Sequence, residues 1–107
     1  MYEFVMLPGF TKAWRKLKIG RAAFELLLAD LTEDAETGNV IPGSDGLRKV
    51  RIKLPGRGKR GGGRVIYALY RRRTRILLAA VYSKSEREDL TQDELDTLRQ
   101  ALRELDG

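Results

Sequence analysis

The chain has 107 residues, of which 42% are apolar and 34% are charged, and its formal net charge is +6. That length suits one domain with a single core, so we expect one domain over residues 1–107. The absence of Cys excludes disulfides and thiolate chemistry and suits the cytoplasm, and the absence of His excludes a His general base and a His-rich metal site.

Membrane insertion and export are also not expected. No window of the sequence approaches eighteen consecutive apolar residues, the length that would indicate a membrane span. The first residues, Met1 to Phe4, lack the basic start and the apolar run of a signal peptide.

The first half of the chain predicts a strand, two helices and a loop. Residues 2–6 form a plausible short strand, and Thr11 is a candidate cap for a short helix that ends at Gly20. Residues 21–31 predict a second helix, whose apolar face consists of Phe24, Leu27, Leu28 and Leu31. The acidic segment 32–45, rich in Gly, Asn and Pro, predicts loops.

The second half predicts three consecutive strands. In residues 47–54 apolar side chains alternate with Lys49, Arg51 and Lys53, and this period of two places the three cations on one face of a strand. Residues 64–70 and 75–82 predict two more strands, joined by a tight arginine-rich turn. The last strand is apolar on both faces, as an interior strand would be.

A C-terminal helix completes the predicted fold. Thr91 and Glu94 stand at capping-box spacing at its start. Its single apolar stripe is formed by Leu95, Leu98, Leu102 and Leu105. We therefore predict an α+β fold: an N-terminal strand and two helices, then an antiparallel meander sheet and a C-terminal helix.

The positive charge is concentrated in one stretch. Between Gly46 and Ser85 there are thirteen Lys or Arg residues and no Asp or Glu. Such a stretch on a soluble domain usually faces a polyanion, most often nucleic acid. The alternative is a merely solvated strand face, but that would be expected to carry mixed charge. The acidic residues from Asp89 to Asp96 argue against contact between the C-terminal helix and nucleic acid.

The glycine-rich loop 55–63 contains Gly56-x-Gly58-x-x-Gly61 but leads into a strand, so it is not a dinucleotide fingerprint. A basic loop can instead close over a nucleic-acid backbone, which makes its Arg57, Lys59 and Arg60 candidate RNA contacts. A plain solvated loop remains the alternative. The turn arginines (Arg71, Arg72, Arg73 and Arg75) fit RNA binding and an exposed tip equally well.

Several segments resemble RelE/HigB-like toxins of bacterial toxin–antitoxin pairs, in the RelE/ParE superfamily. The likeness covers nearly the whole chain and is most specific from Ile41 to Leu90. The segments that carry it are Ile41-Pro42-Gly43-Ser44-Asp45-Gly46-Leu47-Arg48-Lys49-Val50-Arg51, Pro55-Gly56-Arg57-Gly58-Lys59-Arg60-Gly61-Gly62, Arg64-Val65-Ile66-Tyr67 and Val81-Tyr82-Ser83-Lys84-Ser85-Glu86-Arg87-Glu88-Asp89-Leu90.

The resemblance implies a RelE-like fold and an mRNA endonuclease, or interferase, that cuts messages on the ribosome and so contacts ribosomal RNA. It also implies a cognate antitoxin, and cleavage by attack of the RNA 2′-hydroxyl without a metal or another cofactor. By position it implies catalytic roles for Arg51, Lys53, Arg64 and Lys84. The expected RNA contacts are Lys49, Arg57, Lys59, Arg60, Tyr82 and Arg87.

The chain departs from the family pattern after the last strand. Family members often place an Arg there and a Tyr or His later, where this sequence has Ser85 and Leu90-Thr91. Two other functions remain open: a non-catalytic module that binds ribosomal RNA, and a gyrase-inhibiting toxin of the related ParE type. That branch tends to lack the strand cations, so Arg51, Lys53 and Arg64 argue against it.

Overall fold

The computed structural model describes residues 2–56, 62–72 and 74–106 of the chain. This part of the chain forms five strands and three helices. In chain order they are β1 (Glu3–Met6), α1 (Pro8–Lys16), α2 (Arg21–Glu33), β2 (Asn39–Val40), β3 (Arg48–Ile52), β4 (Gly63–Leu69), β5 (Arg75–Ser83) and α3 (Gln92–Asp106). The predicted α+β class is confirmed.

The strands form one mixed sheet in the order β1-β5-β4-β3-β2. β3, β4 and β5 pair antiparallel, as the predicted meander requires. β1 lies parallel to β5 at one edge of the sheet. β2 pairs with β3 at the other edge through two residues, within a segment for which the sequence predicted only loops. The strand predicted over residues 75–82 is an interior strand, between β1 and β4.

The predicted start of the first helix is wrong. Thr11 is not its cap, because α1 begins at Pro8, and Leu7 accepts hydrogen bonds from the backbone N–H groups of Phe10 at 3.0 Å and Thr11 at 3.2 Å. Proline at the first helical position needs no N–H partner, and its ring presets the helical φ. The helix therefore starts one turn earlier than a polar cap would indicate.

The capping box of α3 is confirmed. The Thr91 hydroxyl accepts the Glu94 backbone N–H at 3.2 Å, and the Glu94 carboxylate accepts the Thr91 backbone N–H at 2.8 Å. Each side chain satisfies a donor that the helix itself leaves without a partner. These two bonds define where α3 begins.

Apolar side chains pack on both faces of the sheet. On one face α1 and α2 cover it, and the predicted stripe of α2 supplies Leu27 and Leu31 to the buried core. On the other face α3 supplies Leu95 and Leu102, whereas Leu105 of the predicted stripe is exposed. In the part of the chain that the structure describes, no helix is long and apolar enough to cross a membrane.

Candidate functional site

Three predicted site residues form a row across the sheet. Arg51 of β3 pairs in register with Arg64 of β4, and Arg64 pairs with Tyr82 of β5. Residues paired in register point to the same side of a sheet, with Cβ atoms about 5 Å apart. This is the α3 side, because Tyr82 belongs to the core cluster that contains the α3 leucines. The Arg51–Arg64–Tyr82 row therefore lies at the end of the sheet near the start of α3.

Lys49 lies on the same face as this row, two residues earlier on β3. Its ammonium bonds the Asp89 carboxylate, with 2.8 Å between Lys49 Nζ and Asp89 Oδ1. This hydrogen bond lowers the pKa of Asp89 below its ordinary range. Asp89 lies in the segment that follows β5, so this carboxylate reaches the cationic face from outside the neighbouring strands.

Arg64 is buried, although the sequence suggests an exposed strand residue. Only 9% of its surface is exposed, and its Nη1 donates to the Gly63 carbonyl at 3.1 Å. It occupies the central strand of the sheet, so neighbours on both sides cover its stem. A guanidinium held in this way is fixed in direction before any ligand arrives.

Tyr82, on β5, contacts the segment between β5 and α3, to which Arg87 belongs. The Tyr82 hydroxyl donates to the Glu88 carbonyl at 3.3 Å, and burial raises the pKa of that hydroxyl. The Arg87 guanidinium lies 5.8 Å from the centre of the Tyr82 ring and forms a two-pronged ion pair with Glu94. Hydrogen bonds from Arg87 and from the Thr91 backbone lower the pKa of Glu94 to about 2.

The remaining predicted residues lie beyond the strand ends. Lys53 is exposed and directly follows β3, and Lys84 is exposed and directly follows β5. The Lys84 backbone N–H donates to the Gly62 carbonyl at 3.0 Å, which holds the end of β5 against the start of β4. The predicted RNA contacts of the glycine-rich loop, Arg57, Lys59 and Arg60, lie outside the described residues.

The arginine turn lies at the opposite end of the β4–β5 hairpin from this row. Asp106 accepts the Arg71 backbone N–H, and Arg75 pairs with Glu3 at 3.1 Å. Nearby, Asp45 bonds Arg99 and Arg103 of α3, and these hydrogen bonds lower the pKa of Asp45. Carboxylates thus pair with Arg75, Arg99 and Arg103 at this end.

Two ion pairs beside the row were not predicted from the sequence. They are the pair of Asp89 with Lys49 and the pair of Glu94 with Arg87. Asp89 stands forty residues after Lys49, and no local pattern links the two. Glu94 was identified as a capping residue, which gave no sign of its bond to Arg87. Among residues 2–56, 62–72 and 74–106, no group of three or more acidic, His or Cys side chains could hold a metal ion.

Comparison with known proteins identifies both a family and a fold. A family model described as "RelE toxin of RelE / RelB toxin-antitoxin system" matches residues 9–106. An E. coli RelE toxin variant with two arginines replaced by alanine, in the free state, is 17% identical, with a TM-score of 0.60 over 94% of this chain and 95% of that one. The isolated E. coli RelE toxin is 18% identical, with a TM-score of 0.55 over 95% of this chain and 100% of that one. At these identities the structural likeness shows a shared fold.

Proposed function

Because this chain belongs to the RelE toxin family of toxin–antitoxin systems, we propose that it is a ribosome-dependent mRNA endonuclease. It acts in the cytoplasm, where it arrests translation by cutting messages on the ribosome and contacts ribosomal RNA. A cognate antitoxin neutralises it.

The observation that carries this proposal is the pairing of Arg51 with Arg64 across β3 and β4. Like charges directly opposite one another on a sheet are destabilising. Such an arrangement becomes favourable when an anion lies between or above the two guanidinium groups. Arginine forks match the oxygens of a phosphate, so the RNA backbone is the anion that this face suits best.

The proposed reaction needs charge stabilisation more than it needs a cofactor. The 2′-oxygen of one nucleotide attacks the neighbouring phosphorus, the bond from phosphorus to the 5′-oxygen breaks, and a 2′,3′-cyclic phosphate and a 5′-hydroxyl result. The 2′-hydroxyl loses a proton and the leaving oxygen gains one. Cations aimed at the phosphate in a partly dry site stabilise the extra negative charge of the transition state. The ribosome contributes by holding the message in line for attack.

Within this scheme Arg64 and Lys53 stabilise the phosphate and Arg51 is a second clamp. Lys84 supplies a proton to the leaving oxygen or stabilises its charge. Tyr82 does not act as a phenolate base near neutral pH, because burial raises the pKa of its hydroxyl, which already donates to the Glu88 carbonyl. Its ring and Arg87 instead border the RNA.

The test maps message 5′ ends by primer extension after purified protein is added to a translating extract, with naked mRNA in parallel. Wild type is expected to produce cuts in register with codons only when ribosomes are present. Lys53→Ala should lose these cuts, whereas Lys12→Ala should retain them. Lys12 is an equally charged and exposed residue of α1, far from the row in sequence.

Two outcomes would replace this function with another. Ribosome binding without any cut product would indicate a non-catalytic RNA-binding module. Loss of DNA supercoiling in a gyrase assay, with translation unimpaired, would indicate the ParE-type activity instead.

A further inference from the structure

A cavity of about 480 Å³ opens beside the Arg51–Arg64–Tyr82 row, between β2 and the start of α3. Its walls are mostly apolar and include Val40, Ile41, Ile66, Leu90 and Leu95. Lys49 and Asp89 also line it, joined by their 2.8 Å ion pair. Asn39 and Tyr82 also line it, so the cavity combines mostly apolar walls with a few polar groups, of which the Lys49–Asp89 pair is the charged one.

This combination suits a nucleobase. A base has two apolar faces, which favour contact with hydrocarbon, and a polar edge, which must find donors and acceptors. Small-molecule sites generally have mostly apolar walls with a few placed polar groups, and volumes of about 300–1,000 Å³. Val40 is half exposed on the edge strand β2, which leaves an apolar wall accessible from solvent.

The cavity also lies at a suitable distance from the phosphate-binding face. Lys49 and Arg51 are two positions apart on β3, or about 7 Å along the strand. That separation is comparable with the length of one nucleotide. A phosphate held by Arg51 and Arg64 would therefore place a neighbouring base at the mouth of the cavity.

We infer that this cavity receives one base of the message next to the cut phosphate, and that Asp89 selects bases with an exocyclic amino group. This inference rests on the proposed function. The Asp89 carboxylate accepts a hydrogen bond from the amino group, and the Lys49 ammonium donates to the acceptor beside it on the base. Adenine, cytosine and guanine offer such an amino group, whereas the one donor on the pairing edge of uracil, N3–H, lies between two carbonyl oxygens that repel a carboxylate.

Asp89 is well placed for this role. Its side chain is 63% exposed, and its Oδ2 makes no hydrogen bond within the described residues, so it is available to a ligand. The bond from Lys49 keeps the pKa of Asp89 low, so the carboxylate remains an acceptor at neutral pH. An unpaired carboxylate would repel the RNA backbone, and the Lys49 charge offsets that repulsion.

The first experiment compares the cut-site maps of wild type, Asp89→Asn and Asp93→Asn in the translating extract. Asp93→Asn is the matched control, since it removes the same charge from an exposed residue of the first turn of α3. Wild type and the control should disfavour uracil at one fixed position relative to the cut. Asp89→Asn should reduce that discrimination about tenfold, because an amide can donate to a uracil carbonyl.

Other outcomes of this comparison would overturn the inference. An equal rise in cutting at all sequences in Asp89→Asn would mean that Asp89 only masks Lys49 from phosphate. An equal fall at all sequences would mean that Asp89 supports the fold or contacts ribosomal RNA. Unchanged discrimination would show that the base is read elsewhere.

A second experiment tests the cavity without requiring cleavage. Its result therefore distinguishes failure of the base site from failure of the proposed nuclease function. Isotope-labelled protein is titrated with the four nucleoside 5′-monophosphates and followed by NMR. AMP, CMP and GMP should shift the amide signals of Val40, Leu90 and Leu95 at about tenfold lower concentration than UMP. Asp89→Asn should remove that difference. Equal responses to all four nucleotides, or no response at these amides, would refute the base site.

Discussion

Arg64 is buried and Lys53 is exposed. Substitution of Lys53 should therefore affect cleavage alone, whereas substitution of Arg64 should affect both cleavage and stability. Lys53→Ala should lower cleavage about 100-fold, as the loss of one transition-state donor does in other enzymes, with no change in the urea midpoint of unfolding. Arg64→Ala should lower cleavage and also destabilise the protein by roughly 1–2 kcal/mol, because a buried stem is lost. Cleavage assays combined with urea unfolding of both variants check this. Equal unfolding midpoints for Arg64→Ala and wild type would contradict it.

Glu94 makes a pH-dependent contribution to stability. Hydrogen bonds from Arg87 and Thr91 lower its pKa in the folded protein from an ordinary 4.5 to about 2. A carboxyl group with a lowered folded pKa stabilises the fold above its unfolded pKa, and this stabilisation is lost as pH falls toward the folded value. Its size stays modest, because both side chains of the pair are partly exposed and solvent screens them.

Glu94→Gln should therefore be less stable than wild type at pH 7, and the gap should close between about pH 4.5 and pH 2. Urea unfolding of the two proteins at pH 7, 4 and 2.5 measures the gap. A gap that stays constant with pH would mean that the Arg87 and Thr91 bonds do not depend on the charge of Glu94.

At the scale of elements, one tyrosine connects the central strand to the segment between α2 and β2. The fully buried Tyr67 hydroxyl donates to the Ala35 carbonyl at 2.9 Å and accepts the Gly38 backbone N–H at 2.8 Å. Gly38 fits closely here, since a Cβ would lie 2.8 Å from Tyr67 Cε1 and 2.9 Å from the Lys49 carbonyl oxygen. This close contact holds the residue before β2 against the backbone of Lys49. The position of β2, which forms one wall of the cavity that Lys49 lines, therefore depends on it.

Tyr67→Phe should cost roughly 1–3 kcal/mol of unfolding free energy, because two buried backbone groups lose their partner. Chemical denaturation measures the loss. Tyr70→Phe is the matched control: Tyr70 is also buried, but its hydroxyl makes no hydrogen bond within the part of the chain described here. Similar losses in the two variants would show that the hydrogen bonds of Tyr67 add nothing.

Elements with local signals could be predicted from the sequence, and those that depend on distant partners could not. The alternation around Val50 and Ile52 predicted β3, and Thr91 with Glu94 predicted the start of α3. β2 has only two residues and exists because β3 offers it an edge. The parallel pairing of β1 with β5 joins residues more than seventy positions apart, which no local pattern encodes.

The features of the candidate site also divide into those that local sequence predicts and those that depend on distant partners. Lys49 and Arg51 could be placed on one face from strand period alone, whereas the register that sets Arg64 opposite Arg51 could not be predicted. The burial of Arg64 depends on its central position in the sheet, and the Lys49–Asp89 bond depends on where the segment after β5 returns. Local pattern thus predicts which cations share a face, and tertiary packing decides which of them are already paired.

At the scale of the whole molecule, cations are displayed at one end of a sheet in a protein of net charge +6. RNA binding should therefore weaken steeply with salt, by about 0.7 in log–log slope for each phosphate contact to a single strand. Lys53→Ala should lower that slope by about one contact, and Lys12→Ala should leave it unchanged. Fluorescence anisotropy of a labelled RNA between about 50 and 200 mM salt measures this. A flat response in wild type would exclude the cationic face as the contact surface.

The irregular pairing in the middle of the β4–β5 hairpin has a consequence for how this strand tolerates change in length. Ile66 pairs with Ala80 and Tyr67 with Leu78, so Ala79 is one residue that β4 does not match. Side chains alternate between the two faces of a sheet along a strand. The extra residue therefore reverses, from that point on, which face the even-numbered residues of β5 occupy. Deletion of Ala79 would leave the net charge unchanged and would let Leu78 and Ala80 pair with Tyr67 and Ile66 in an uninterrupted ladder. Tyr82 would stay opposite Arg64, so β5 contains one residue that it can lose without disturbing the row.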